Sequence, residues 1–317
     1  MAADQGAGAV DASGGGRVVA ALGGNALLRR GEPLDVDTQR RNVARAVDAL
    51  APVARRHRLL ITHGNGPQVG LLALQAHAYA EVAPYPLDVL GAESEGMIGY
   101  LLEQGLQNRL PGVMVATLLT QVVVDPGDPG FARPTKPVGP VYSEQRARSL
   151  AGERGWAVAR DDGGWRRVVP SPEPLRIVEG AAIALLADAG AIVVCVGGGG
   201  IPVVVDGDAL RGVEAVVDKD LAAALLAEQA GACRLLLLTD VAGVEREHGT
   251  PHARVIDRVT PAELRALKLP AGSMGPKAEA ACRFVERTGG VAVIAALDRA
   301  ADALEGRAGT RVVADDR

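Results

Sequence analysis

Short, almost wholly apolar runs recur along the chain: "RVVAAL" (17–22), "RLLITH" (58–63), "VMVATLLTQVVV" (113–124), "AIVVCV" (191–196), "RLLLLT" (234–239), "VAVIAAL" (291–297) and a closing "GTRVV" (309–313). They are rich in Val, Ile and Leu and show little apolar/polar alternation. Such runs predict strands covered on both faces. Between them, helical patterns run over 37–56, from about 68, over 93–109, over 175–190, and from about 218 and 276. "TPAELRAL" spells a helix start, with Thr260 as N-cap, Pro261 as first helical residue and Glu263 two residues on. Strands alternating with helices predict an α/β fold: a mainly parallel sheet with helices on both faces.

Residues 125–174 break this rhythm. "DPGDPGFARPTKPVGPVY" and "RDDGGWRRVVPSPEP" are dense in Pro and Gly, and Trp156 and Trp165 both lie in this region. "GWAVARDDGGWRRVV" reads as two short strands around Asp162-Gly163-Gly164. The region is expected to protrude as a small subdomain, a lid or an interaction surface.

Composition narrows the function. A chain of 317 residues, 48% hydrophobic and 23% charged, fits two domains or one two-lobed unit. A net charge of -4 and 3% aromatic residues argue against nucleic acid and anionic membranes as partners. No apolar stretch approaches the roughly 20 residues that cross a bilayer. Cys195, Cys233 and Cys282 have no CxxC spacing and read as packed small hydrophobes in a reducing compartment. The Gly-rich residues 1–16 read as a tail, not a signal peptide.

Three turns share one chemistry. "ALGGNA" (21–26), "THGNGPQVG" (62–70) and "VGGGGIPV" (196–203) each follow a strand-like run. Glycines there let backbone N–H groups approach an anion, and turns that follow strands converge on the carboxyl edge of a parallel sheet. The P-loop, dinucleotide, serine-elbow and zinc-helix patterns are all missing. His63 either orients its turn against ligand or packs as a capping imidazole. Glu93 and Glu95 read as solvated helix charges rather than metal ligands.

The first turn contains no cation, so positive charge has to come from elsewhere. Asp218-Lys219-Asp220 opens a helix; on these residues alone the simpler reading is an acidic cap with a solvated lysine. Lys277 sits just inside another helix, against the dipole, which suits an anion ligand. Lys136 is framed by prolines in "PTKPVGP", a rigid mount or a plain surface position.

"ALGGNAL", "THGNGPQVG", "LTQVVVD", "PTKPVGPVY", "GWRRVVPSPEP", "GGGGIPVV", "GVEAVVDKDLA", "LLLLTDVAGV" and "GSMGPKAEAACRFVE" occur in order from about residue 17 to 313. Together they resemble the carbamate kinases of the amino-acid kinase superfamily. The resemblance implies a three-layer αβα sandwich with an open, mostly parallel sheet of about eight strands. It implies an N-terminal lobe (17–212) for carbamate or carbamoyl phosphate and a C-terminal lobe (213–317) for ATP or ADP. Mg²⁺ would accompany the nucleotide, with no protein ligand assigned to it. Gly23, Gly24 and Asn25 would cradle the transferring phosphoryl group, with Gly64 and Asn65 facing it. Gly198 and Gly199 would hold the carbamate end through N–H groups. Lys219 and Lys277 would neutralise the phosphates, Asp220 would orient both, and Lys136 would reach in from the protruding subdomain. Thr239, Asp240, Gly243 and Met274, with the two lysines, would line the nucleotide site. A cytoplasmic homodimer making ATP from carbamoyl phosphate in arginine catabolism is the implied setting. Many superfamily members carry a lysine where this chain has Ala21, as carbamate kinases do, and Lys219 is the expected substitute. Ala21 and Lys136 speak against an acetylglutamate or phosphonate kinase. A non-catalytic sensor would lack Lys219, Asp220 or Lys277.

Overall fold

The apolar runs form one open sheet because each has two faces to bury. In the strand Arg17–Leu22, Val18, Ala20 and Leu22 join the core on one side of the sheet, and Val19 and Ala21 join it on the other. The computed structural model describes residues 15–29, 31–161, 163–270, 272 and 274–315. Residues 1–14 of the expected tail and Asp162 of the expected turn lie outside them. The central sheet has eight strands, in the order Arg258–Val259, Thr310–Val312, Val291–Ala296, Arg234–Thr239, Arg17–Leu22, Arg58–His63, Ile192–Val194, Val115–Thr117. Every neighbouring pair is parallel except Val291–Ala296 with Thr310–Val312. Helices Val36–Ala54, Leu87–Arg109 and Ala300–Leu304 cover one face. Gly180–Asp188, Lys219–Gln229 and Met274–Thr288 cover the other. The three-layer α/β reading therefore holds.

Three local readings are corrected. The run 113–124 is two strands in two sheets, Val115–Thr117 and Gln121–Val124. Leu118 N–H donates to Val194 O at 2.9 Å and Ile201 N–H to Thr120 O at 2.8 Å, so the chain crosses between sheets at 118–120. The helix expected over 175–190 begins only at Gly180. Pro174–Ile177 is instead the edge strand of a four-stranded sheet with Gln121–Val124, Ile201–Asp206 and Ala209–Gly212. A proline with no N–H to give is tolerated at such an edge. Cys195 and Cys282 are buried as expected, but Cys233 is exposed at the amino-terminal end of its strand. The Thr260 capping box is present: Glu263 N–H donates to Thr260 Oγ1 at 3.3 Å, and Thr260 N–H to Glu263 Oε2 at 2.9 Å.

The protruding region contains a three-stranded antiparallel sheet, Lys136–Tyr142, Gly164–Val169 and Val158–Asp161, and a helix, Glu144–Arg154. Trp156 is pinned by the Arg154 and Arg167 guanidinium groups at 4.9 and 4.6 Å and by the edge of His77 at 5.5 Å. The sheet meets the helix Gly66–Ala78 backbone to backbone. A Cβ on Gly70 would lie 1.9 Å from Gly139 Cα, so only glycine permits the approach that brings Lys136 inward. Gly70→Ala is expected to raise hydrogen exchange over 136–142 and 164–169 while the central strands stay protected. Unchanged exchange there would show that the contact does not seat the subdomain.

Candidate active site

The carboxyl ends of the central strands bring the three turns together. Gly23 N–H donates to Leu238 O at 2.9 Å, Gly64 N–H to Leu22 O at 3.1 Å, and Cys195 N–H to Ile61 O at 2.9 Å. A Cβ on Gly64 would lie 3.2 Å from Gly24 N and 3.3 Å from Lys219 Cδ, which puts Gly24, Gly64 and Lys219 in one cluster. Gly24 and Asn25 begin a four-residue helix after Gly23; the Asn25 side chain lies outside what is described. Asn65 is buried: its Nδ2 donates to Ser94 Oγ at 2.7 Å, and a Cβ on Gly198 would lie 2.1 Å from that nitrogen. The Asn65 side chain therefore sits between the second and third turns.

The third turn is tightly wound. Val196 has φ +53° and Gly198 φ +67°, both left-handed. For a β-branched residue such as Val196 this costs about 1–2 kcal/mol, which the surrounding bonds have to offset. Gly199 N–H is engaged with Val196 O at 3.2 Å and Gly200 N–H with Gly197 O at 2.9 Å. Gly199 N–H is thus engaged within its own turn.

His63 packs beneath this turn. It is buried, its Nδ1–H donates to Gly64 O at 3.2 Å, and a Cβ on Gly197 would lie 2.5 Å from its Nε2. Burial is the main cause that lowers its pKa to about 4; Lys219 adds to this and the Gly64 carbonyl opposes it. The imidazole is neutral at ordinary pH and orients the backbone.

Asp218 caps the helix Lys219–Gln229, with its Oδ1 accepting from Asp220 N–H at 2.9 Å and Leu221 N–H at 3.2 Å. Its other oxygen pairs with Lys136 Nζ from the protruding subdomain. That grip had no signal in the sequence beyond two distant opposite charges. Asp220 binds Lys219 through Oδ1 at 2.5 Å and Lys277 through Oδ2 at 3.2 Å. Lys219 is mostly buried, which corrects the solvated-cap reading. Burial lowers its pKa to about 8, Lys277 adding to this and Asp220 opposing it. Asp220 is also buried, which alone would raise its pKa, but Lys219 and Lys277 outweigh that and hold it charged, below the usual carboxylate range. Three lysines meet two aspartates here, which leaves local positive charge facing the glycine turns.

Thr239 ends a central strand beside Gly23, its Oγ1 donating to Asp240 Oδ1 at 3.1 Å, with Asp240 exposed. Gly243 is buried against Thr310 and Val255, so it shapes the loop from within. Met274, half-buried, opens the Lys277 helix and packs against the core. Among the described residues, no group of three or more His, Cys, Asp or Glu side chains could hold a metal ion.

The expectation of solvated charges at 93 and 95 fails for Glu95, which is 1% exposed. Its Oε1 accepts from Gly197 N–H at 2.7 Å and its Oε2 from Thr120 N–H at 3.2 Å. Burial is the main cause that raises its pKa, to about 8, against those backbone bonds. Thr120 Oγ1 in turn accepts from Val196 N–H at 3.0 Å. Ser94 and Thr120 went unnoticed in the sequence, and Glu95 was read only as a solvated charge. Their one signal is the density of small residues in "GAESEG", which lets the helix lie close to the turns.

The model of the amino acid kinase family matches residues 16–296. The carbamate kinase of Rhizobium meliloti is 55% identical over 89% of this chain and 88% of its own length. A carbamate kinase from Giardia lamblia bound to citric acid superposes with a TM-score of 0.90 at 42% identity, covering 95% of this chain and 99% of that one. The same enzyme bound to AMP-PNP gives 0.87 at 43% identity, covering 95% and 99%. The chain belongs to the carbamate kinases of the amino acid kinase family. These enzymes transfer a phosphoryl group between ATP and carbamate, with ADP and carbamoyl phosphate on the other side of the equilibrium.

Lys219 gives the site a pH signature. A lysine is charged below its pKa, so as pH rises through about 8 the free enzyme loses a positive charge beside Gly64. kcat/KM is expected to fall with that midpoint. A bound phosphate favours the charged form, so the fall in kcat should lie at higher pH. Flat kcat/KM from pH 7 to roughly 9.5 would remove Lys219 from the phosphate site.

Proposed function

We propose that this enzyme performs phosphoryl transfer by alignment and charge stabilisation, without a nucleophilic side chain. The observation that carries the reading is the convergence of Lys219 and Lys277 on Asp220, with Lys219 packed beside Gly24 and Gly64. Phosphoryl transfer demands little covalent chemistry of the protein, and carbamate is already an anionic acceptor. The first two turns cradle the moving phosphoryl group. Gly198 N–H takes the carbamate end in the lobe 17–212, with Gly199 giving room. Lys219 and Lys277 offset the charge that builds up on the phosphoryl oxygens, and Asp220 keeps both aimed. Lys136 carries a further positive charge from the protruding subdomain to the acyl side. ATP or ADP lies in the lobe 213–317 near Thr239 and Asp240. Asp218 and Asp220 are committed to lysines and backbone N–H groups, so Mg²⁺ would take its oxygen ligands from the nucleotide phosphates and water.

The proposed physiological direction is ATP formation from carbamoyl phosphate in arginine catabolism, in the cytoplasm. A homodimer is supported by apolar side chains at the edge of the central sheet. Met97, Tyr100, Met114 and Leu119 are exposed there, around the terminal strand Val115–Thr117. Among the described residues no helix is long and apolar enough to cross a membrane.

A coupled assay should detect ATP from carbamoyl phosphate and ADP with Mg²⁺; no activity would overturn the assignment. Lys219→Ala and Lys277→Ala are each expected to lower kcat by roughly two to three orders of magnitude, as for a lost transition-state charge partner. Near-normal rates in both would refute their roles. Lys136→Ala should impair carbamoyl phosphate use more than ADP use. Unchanged constants for carbamoyl phosphate would leave Lys136 outside the site.

A further inference from the structure

We propose that Glu95 is a positioning residue for the acyl end of the substrate: from beneath the third turn it holds the backbone that aims Gly198 N–H. The inference rests on the reading that this turn takes the carbamate end. Glu95 lies on the helix Leu87–Arg109, outside the lysine cluster, and touches none of the groups that would meet phosphate. What it touches is the start of the turn. Its Oε1 accepts from Gly197 N–H at 2.7 Å, its Oε2 from Thr120 N–H at 3.2 Å, and Thr120 Oγ1 accepts from Val196 N–H at 3.0 Å.

The consecutive N–H groups of Val196 and Gly197 are thus taken up by Thr120 and by Glu95, which itself holds Thr120. Gly199 and Gly200 N–H close the turn on itself. Gly198 is left at the crest, wedged against Asn65, whose Nδ2 is tied by Ser94 on the same helix. Val196 keeps its left-handed backbone, φ +53°, inside this frame. Each oxygen of Glu95 meets one N–H; burial raises its pKa to about 8, so the neutral acid is populated at neutral pH, and its hydroxyl oxygen still has lone pairs with which to accept. A glutamine there has one accepting oxygen, and its NH₂ would meet an N–H head-on. Burying a carboxyl at some cost to its charged form, with both oxygens on loop N–H groups, is an expensive way merely to fill space.

The test uses the full-length enzyme in the ATP-forming direction, with carbamoyl phosphate and ADP varied separately. Glu95→Gln is expected to raise KM for carbamoyl phosphate about tenfold, with KM for ADP within about twofold and the melting temperature nearly unchanged, as for loss of one buried hydrogen bond at the acyl side. Thr120→Val should move the same constant in the same direction, and Thr120→Ser, which keeps the hydroxyl, should recover most of that loss. If Glu95→Gln fails to fold, the two Thr120 variants carry the test alone. Gly198→Ala calibrates the reading of the turn. If it raises KM for carbamoyl phosphate while Glu95→Gln and Thr120→Val do not, Glu95 is not a positioning residue and the turn assignment stands. If Gly198→Ala is silent as well, the assignment of the turn falls and the inference with it. An equal rise in KM for ADP in Glu95→Gln also overturns it.

Discussion

Everything in the site depends on Asp220 holding two ammonium groups close together in a buried place. Lys219 and Lys277 would repel each other there, and burial works against the charge of Lys219. One carboxylate with an oxygen for each offsets much of both. Removing Asp220 would leave two ammonium groups side by side without their shared counter-charge, so its worth lies less in its own contacts than in letting its partners share one place. The aspartate can do this because it sits in the first turn of a helix, where a negative charge is favoured and its backbone N–H is already satisfied by Asp218.

The other half of the site is backbone, and backbone has to be held. The small residues around 91–99 let one helix reach two turns at once: Ser94 ties Asn65, and Glu95 ties Gly197. His63, kept neutral by burial, fills the remaining space under Gly197. A polar framework of this kind is rigid only when every member is satisfied. The left-handed Val196 shows that the framework is strong enough to impose a conformation its side chain resists.

Much of this was legible in the sequence. Two-faced apolar strands, the Thr260 capping box and three glycine turns after strands follow from local rules, and the structure contains them where they were expected. Lys219 was less legible from its residues alone: an acidic helix start with a lysine reads as a solvated cap, and only the fold reveals that Lys277 and Asp220 draw it inside. Glu95 was misread for a related reason. A glutamate in a helix is normally solvated, and its burial comes from a turn about 100 residues away, which no local pattern encodes. The sheet change at 118–120 was hidden because an apolar run looks alike whichever sheet it enters.

The pairing of Lys136 with Asp218 gives the resting enzyme its own counter-anion. In the proposed role of Lys136, a substrate arriving on the acyl side would not meet a bare cation; it would exchange with a carboxylate already in place. A simple inorganic anion gains little from that exchange, since it replaces one anionic partner with another. A ligand that also engages the glycine turns gains more. Because Asp218 caps a helix of the main body and Lys136 belongs to the protruding subdomain, each such exchange would also loosen one tether between them. Anion selectivity and the seating of the subdomain would then be two readings of the same ion pair.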